Sequence, residues 1–357
     1  MQQDHATLNN RGLDIFAAGH PLLASKVLKQ AYTTEPGELG ILVNLGLSLM
    51  QAGQDIAAEH CYQLALKSED RKTRRSAAKN LGFVHLSRGN YRTGWTFHGQ
   101  RFDGEPFLES QWKGEPLNGR PLVVWNDVGM GDAFQFSRYT RVLVDRGERV
   151  IFAVDACQID IFTRHLAWDL HAVVDRNKLD LNACRHIPLM SLIPLLDEDT
   201  QWGRNWCGPT WKLSQTPKDQ IPPTKVGLCW SSNRQDKSMH SYKSVDVEQI
   251  LRQYETELAN KSLVSLQVDE GDAHRMLGLR QASKNWQDTL TSIGSCSAVI
   301  SVDTAVAHLA AGADIPTHLI LGPIFDWRWR RPEEGKWYPR LHFARPVTAD
   351  GQSVHCS

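Results

Sequence analysis

The chain has 357 residues, which is room for two or three domains. Its 40 lysines and arginines balance 40 aspartates and glutamates, so the formal net charge is zero and nothing in it favours nucleic acid or an anionic membrane surface as a partner. Hydrophobic residues make up 41%, enough for real cores, yet no apolar run reaches the roughly 18 residues of a membrane span.

The cysteines and the first residues predict a cytoplasmic location. The seven cysteines are scattered, and an odd number without a CxxC pair fits reduced thiols better than a disulfide framework or a zinc site. The opening residues, MQQDHATLNN, lack the basic and apolar stretches of a secretory signal.

An internal repeat begins the chain. Gly12 recurs as Gly46, a shift of 34 residues (46 − 12), which is the period of tetratricopeptide (TPR) repeats. The matched positions are Leu8, Gly12, Ile15, Gly19, Ala24, Leu28 and Ala31 with Leu42, Gly46, Leu49, Gly53, Ala58, Tyr62 and Ala65. A looser third copy passes through Gly82 and Gly89. We therefore expect TPR-like helical repeats over residues 1–105. Such arrays bind a peptide or protein on a concave surface, and the alternative is a structural cap on the rest of the chain.

The following residues predict a first α/β half over 106–218. Residues 103–121 are rich in glycine, proline and acids, which indicates a linker. The predicted elements after it are a strand, a loop, a helix and a strand, over residues 122–125, 126–131, 132–146 and 150–154. This order is a βαβ unit of a Rossmann-like fold. Gly129 and Gly131 in the loop give only GxG, which is weak as a dinucleotide fingerprint.

Residues 219–357 predict a second Rossmann-like half, and the proline-rich stretch 214–223 marks the hinge before it. The predicted elements are a strand, a polar loop, a helix, a strand and a helix, over residues 225–230, 231–244, 245–258, 263–267 and 290–296. The polar loop contains Asn233, Lys237 and Lys243.

A second βαβ unit follows, with strands over 298–302 and 318–321 around a helix over 305–311. Open parallel sheets bind ligands at the carboxyl ends of their strands, and Asp303, Thr304 and Gly322 stand at those ends. The amides after Thr304 then form a natural anion site. The alternative is that Asp303 and Thr304 only cap the helix.

Several stretches of this sequence resemble a known family. DTAVAHLAAGADIPTHLILGP, from Asp303 to Pro323, resembles the nucleotide-sugar motif of GT-B glycosyltransferases of the heptosyltransferase (glycosyltransferase family 9-like) kind. DWRW and KWYP, which begin at Asp326 and Lys336, are similar to a bacterial group in which TPR repeats precede a glycosyltransferase-like region. The resemblance covers about residues 80–345. It implies α-helical TPR-like repeats followed by an α/β region of GT-B architecture with two Rossmann-like halves.

The resemblance implies transfer of a sugar from a nucleotide-activated donor to an acceptor hydroxyl, with inversion in a single displacement. Asp132 lies in WNDVGMGDAFQFSRY, similar to the segment in which the family keeps its catalytic aspartate, so it is the predicted base. Its alternative role is a helix cap. The related group has Glu-Gln where Asp127 and Val128 stand here, so acceptor contacts from this loop are expected to differ.

The remaining candidates would bind the donor. Lys237 and Lys243 are predicted to hold the diphosphate together with Thr304 and the amides after it. Asp303 would orient the loop or bind donor hydroxyls, and His308 would face either the cleft or the core. The complete donor-binding set is Gly129, Gly131, Asn233, Lys237, Lys243, Asp303, Thr304, His308 and Gly322.

No metal and no cofactor beyond the nucleotide-sugar donor are expected, because no His/Asp/Glu spacing demands a metal and a DxD dyad in a GT-A-like context is missing. The partners would be the nucleotide sugar and a glycan or protein acceptor, without nucleic acid or a transmembrane segment. Two alternatives stay open: a TPR scaffold with an inactive GT-B region, and a protein O-glycosyltransferase whose repeats hold the acceptor.

Overall fold

The structure is a computed structural model that describes residues 4–196, 209–213, 224–233, 237–267, 285–330 and 337–345. The predicted hinge at 214–223 and the predicted boundary between residues 218 and 219 therefore lie outside the described residues. Among those that are described, no helix has the length and apolarity to cross a membrane.

The N-terminal part consists of six helices that pack in consecutive pairs: α1 (His5–Ala17), α2 (Pro21–Thr34), α3 (Leu39–Gln51), α4 (Asp55–Ala65), α5 (Arg71–Ser87) and α6 (Tyr91–Gly99). The repeated small residue lets paired helices approach closely, since a methyl group on Gly46 would lie 2.6 Å from the ring of Tyr62. The assignment of this array to the TPR class stays a prediction.

The first α/β half is a parallel four-stranded sheet in the order β3-β2-β1-β4 with helices around it. Its elements are β1 (Leu122–Trp125), α7 (Met130–Phe136), α8 (Arg138–Asp145), β2 (Val150–Val154), α9 (Ile159–His165), β3 (Ala172–Asp175), β4 (His186–Pro188) and α10 (Leu189–Leu196). The single helix predicted over 132–146 is wrong, because it is broken at Ser137. The hydroxyl of Ser137 donates to the carbonyl of Phe134, and its own carbonyl accepts from the amide of Thr140 at 2.8 Å, which tightens the chain there.

The second half is a parallel five-stranded sheet in the order β6-β5-β7-β8-β9, separate from the first sheet within the described residues. Its elements are β5 (Lys225–Cys229), α11 (Lys237–Lys243), α12 (Val247–Gln253), α13 (Glu255–Leu258), β6 (Ser262–Ser265), α14 (Trp286–Gly294), β7 (Ala298–Val302), α15 (Ala305–Gly312), β8 (Thr317–Ile320) and β9 (Leu341–Ala344). The sequence predicted a loop where α11 lies and did not predict β9.

The three parts of the chain share extensive contacts. Helix α7 of the first half packs against α15 of the second half, so the two sheets present their carboxyl ends to one junction. The helical part reaches the second half through α1, where the ring of Phe16 meets that of Tyr242, and through α5, where Phe83 stacks on Trp327. Residues of all three parts, such as Trp95, Phe136 and Trp327, belong to one hydrophobic core.

Candidate functional site

Asp132 lies in the first turn of α7, just beyond the carboxyl end of β1. One carboxylate oxygen accepts the amide of Gly129 at 3.2 Å, so Asp132 supports the helix start from the third helical position, and Gly129 occupies the N-cap position that the alternative gave to Asp132. The other oxygen accepts from Nη2 of Arg328, which belongs to the second half. The side chain of Asp132 nevertheless stays 25% exposed. It is therefore a carboxylate at the junction of the halves that solvent can still reach.

Arg328 is the residue that the sequence analysis missed. It sits in a short 3-10 turn, Trp327–Trp329, and its Nε donates to Asp326 at 2.8 Å while Nη1 donates to Gln135 of α7. Its guanidinium lies 5.1 Å from the ring centre of Phe136. Burial disfavours the charge, but Asp326 and Asp132 outweigh burial and raise the pKa of Arg328. The junction thus contains a permanent buried cation.

Asp303 and Lys243 form an ion pair at the carboxyl end of β7. Nζ of Lys243 lies 3.0 Å from Oδ2 of Asp303, and only 8% of the aspartate side chain is exposed. Burial alone would raise the pKa of Asp303, yet Lys243, His308 and Arg328 lower it to about 2. Burial likewise opposes the charge of Lys243, and Asp303 raises its pKa. A phosphate bound here would share the lysine with Asp303.

His308 is buried between the halves. Its Nδ1 lies 3.0 Å from the hydroxyl of Tyr338, its ring stacks on Trp329, and its Nε2 lies 3.9 Å from Asp303. Burial and then the charge of Arg328 lower the pKa of His308 to about 3, so the imidazole is neutral near pH 7. His308 belongs to the junction core and also borders the charged cluster.

The predicted anion site at the start of α15 is covered by the first half. Thr304 occupies the N-cap position, but its hydroxyl faces Ser301 at 3.3 Å and caps no amide. A methyl group on Gly131 would lie 2.9 Å from the ring of His308 and 3.4 Å from the amide nitrogen of Ala305. Gly131 is therefore a point of close helix–helix contact, and a phosphate reaches these amides only if α7 moves away.

The other donor-binding candidates are spread around the second half and the α7 start. Gly129 is exposed at the N-cap of α7, and Asn233 is exposed beyond β5. Lys237 begins α11, and its side chain lies outside the described residues. Gly322, beyond β8, is in close contact with the carbonyl of Tyr242, which leaves no room for a side chain.

A cavity of about 520 Å³ opens at the carboxyl ends of β5 and β8. Its walls combine apolar groups with hydroxyls, an imidazole and carboxylates, and they include Trp230, Ser231, His240, Ser244, Asp246, Glu248, Gly322 and Pro323. Among the predicted donor-binding residues whose side chains the structure describes, Gly322 alone lines it, but Ser244 is the direct neighbour of Lys243. The volume and the mixed lining suit a small organic ligand.

Asp127, which stands where the similar bacterial group has another residue, is held by an arginine and by a backbone amide. Its Oδ2 accepts from Nη2 of Arg101 at 2.6 Å, and its Oδ1 accepts the amide of Met190 at 3.2 Å. The carboxylate is buried, so it links the end of the helical part to the first sheet. Among the described residues, no group of three or more histidines, cysteines, aspartates or glutamates could hold a metal ion.

No protein-family model matches the sequence, and no curated protein matches it. Among solved structures, the chain is similar to ADP-heptose lipopolysaccharide heptosyltransferase II of E. coli, with 11% identity, 66% of this chain and 93% of that chain covered, and a TM-score of 0.45. The E. coli heptosyltransferase WaaC with ADP has 13% identity, with 66% of this chain and 94% of that chain covered and a TM-score of 0.41. A Thermobaculum terrenum O-GlcNAc transferase mutant has 12% identity, with 93% of this chain and 86% of that chain covered and a TM-score of 0.30. With TM-scores below 0.5, these likenesses assign no family to the chain.

Proposed function

We propose that this chain is a glycosyltransferase that moves a sugar from a nucleotide-activated donor to an acceptor hydroxyl. The observation that carries the proposal is the convergence of two carboxylates that the sequence placed at different strand ends. Asp132 of the first half accepts a hydrogen bond from Arg328 of the second half, and the adjacent Gly131 packs against His308, whose Nε2 lies 3.9 Å from Asp303. Charged groups of both halves thus meet where parallel α/β sheets bind ligands.

Asp132 is the better base of the two carboxylates. Asp303 is almost fully buried and holds Lys243, so an acceptor hydroxyl has no access to it. Asp132 is partly exposed at the mouth of the junction and keeps lone pairs beyond its bonds to Gly129 and Arg328. A well-placed base contributes about 10²–10⁴ in rate. The reaction would be a single inverting displacement that needs no metal.

The donor would bind the second half. Its nucleoside would occupy the cavity beside Ser244, and its phosphates would reach Lys243 and the amides that follow Thr304. Gly131 covers the first turn of α15, so donor binding would go with a small separation of α7 from α15. The acceptor would then approach Asp132 from the first half.

A thermal-shift panel of UDP, GDP, ADP, TDP and CMP compounds tests this assignment. A ligand at 100 times its Kd adds about 2.7 kcal/mol of stability, so one nucleotide class should raise the melting temperature clearly. Lys243→Met should lose that shift, whereas Lys26→Met, at an exposed position on α2, should keep it. If no nucleotide changes the melting temperature of the wild type, the nucleotide-activated donor is wrong.

A binding protein with an inactive transferase region is the second candidate. The observation in its favour is that Arg328 engages the carboxylate of Asp132 while Gly131 covers the helix start. Release of free nucleotide from a nucleotide sugar separates the two candidates, because only the enzyme turns over the donor.

A further inference from the structure

The segment from Asp326 to Arg330 touches all three parts of the molecule. Asp326 caps its 3-10 turn by accepting the amide of Arg328 at 3.1 Å. Arg328 then extends to α7 in the first half, and Arg330, two residues on, extends to the helical part. One rigid turn of the second half therefore carries two arginines that point to different parts.

The helical part holds one end of this segment. Nη1 of Arg330 lies 3.2 Å from Oδ1 of Asp55 at the start of α4, and Nη2 donates to the carbonyl of Met50 in α3. Trp327 packs between Phe83, with ring centres 6.4 Å apart, and Trp95, with ring centres 5.7 Å apart and the two rings nearly perpendicular. Contacts with α3, α4, α5 and α6 thus fix where the turn lies.

The other end of the segment holds the proposed base. Arg328 donates to Asp132 and to Gln135, which are three residues apart and lie on the same face of α7. The planar guanidinium also bonds Asp326 and lies against the ring of Phe136, and these contacts favour a single position for it. A partly exposed carboxylate that would otherwise sample several rotamers is kept in one.

We propose that Arg328 is a positioning residue for Asp132 and that the helical part, which holds the Arg328 segment through Arg330, belongs to the catalytic apparatus. This inference rests on the proposed function of Asp132 as the base. In this proposal the helices help to hold Arg328, and through it Asp132, in place. A helical module that only bound the acceptor would not do so. Arg330 is not among the residues that line the donor cavity, so the task concerns turnover and not donor affinity.

The test is the kinetics of full-length Arg330→Gln and Asp55→Asn, measured as nucleotide release from ADP-, UDP-, GDP- and TDP-linked sugars. We expect kcat to fall roughly tenfold to a hundredfold, as it does when a catalytic group is misplaced by about 1 Å, while KM for the donor is unchanged. Both substitutions remove the ion pair between Arg330 and Asp55, so the loss of kcat in the double variant should be smaller than the product of the two single losses.

Arg340→Gln is the matched control. Arg340 is exposed in the same half and donates only to the carbonyl of Asp314 among the bonds described, so its removal should leave kcat and KM at wild-type values. Melting temperatures identify any variant that fails to fold. If Arg330→Gln is unfolded, Asp55→Asn makes the same test from the helical side with a smaller change.

The outcomes separate this inference from the proposed function. Folded Arg330→Gln and Asp55→Asn proteins with wild-type kcat overturn the positioning role. Asp132→Asn is assayed beside them: if it also keeps wild-type turnover, Asp132 is not the base and both ideas fail. Loss of turnover in Asp132→Asn together with normal kcat in the other two variants overturns only the positioning role.

Discussion

The burial of His308 predicts a protein that loses stability in mild acid. The pKa of this histidine is about 3 in the folded protein, against an ordinary value of 6.5. Between these two pH values the unfolded chain binds a proton that the folded chain does not, so the free energy of unfolding decreases as pH falls. The contribution of neutral His308 to the free energy of unfolding is complete above about pH 6.5 and is lost progressively as the pH falls toward 3.

The size of the effect follows from the distance between the two pKa values. Each pH unit in this window is worth about 1.4 kcal/mol, so lowering the pH from 7 to 5 should cost about 2 kcal/mol through His308 alone. The range from pH 7 to pH 5 lies above the ordinary pKa values of carboxylates, which therefore add little to this change. Burial also lowers the pKa of His98 well below its ordinary value. The unfolded wild-type chain should therefore bind more than one proton in excess of the folded chain near pH 5, and this number sets the slope of the unfolding free energy against pH.

Urea unfolding at pH 7, 6 and 5 measures this slope. His308→Gln removes the titrating ring, and the pH dependence of its unfolding free energy should be smaller than that of the wild type by about one proton. The exposed His20→Gln is the control and should keep the wild-type slope. Equal slopes for the wild type and His308→Gln would refute the burial of a neutral imidazole at the junction.

Two further substitutions test the junction itself. Gly131→Ala would place a methyl group 2.9 Å from the ring of His308 and 3.3 Å from Cα of Ala305, so it should cost about 1–3 kcal/mol in chemical denaturation. Gly99→Ala, with open space around it, is its control, and equal stabilities of the two variants would contradict the close contact. Lys243→Met leaves Asp303 buried without its lysine and should cost about 3–5 kcal/mol at neutral pH. Wild-type stability of that variant would show that the ion pair is dispensable.

Much of the α/β framework could be predicted from local pattern. The strands β1, β2, β7 and β8 were predicted to within one residue because each is a short apolar run between turn signals. The break at Ser137 could not be predicted, since it depends on hydroxyl and carbonyl bonds that periodicity does not encode. The strand β9 was missed because its two central residues, His342 and Phe343, are both exposed, so the strand shows no alternation of buried and exposed positions.

The site was predictable only where chain topology dictates it. Carboxyl ends of parallel strands share one edge of a sheet, so the sequence could place Asp132 and Asp303 at ligand-binding edges. Arg328 lies 196 residues from its partner Asp132, and nothing local in DWRW indicates that distance. The role of Gly131 depends in the same way on the packing of α7 against α15, because its neighbour His308 belongs to the other half.

Asp132→Asn is the most direct test of the central claim. Asparagine is close to aspartate in size, and its side-chain oxygen can still accept the amide of Gly129, while Arg328 keeps Asp326. The variant should therefore fold normally and bind the donor nucleotide with wild-type affinity. Nucleotide release from the sugar donor should fall by about 10²–10⁴ if Asp132 is the base. A folded Asp132→Asn protein with wild-type turnover would contradict the assignment of Asp132 as the base.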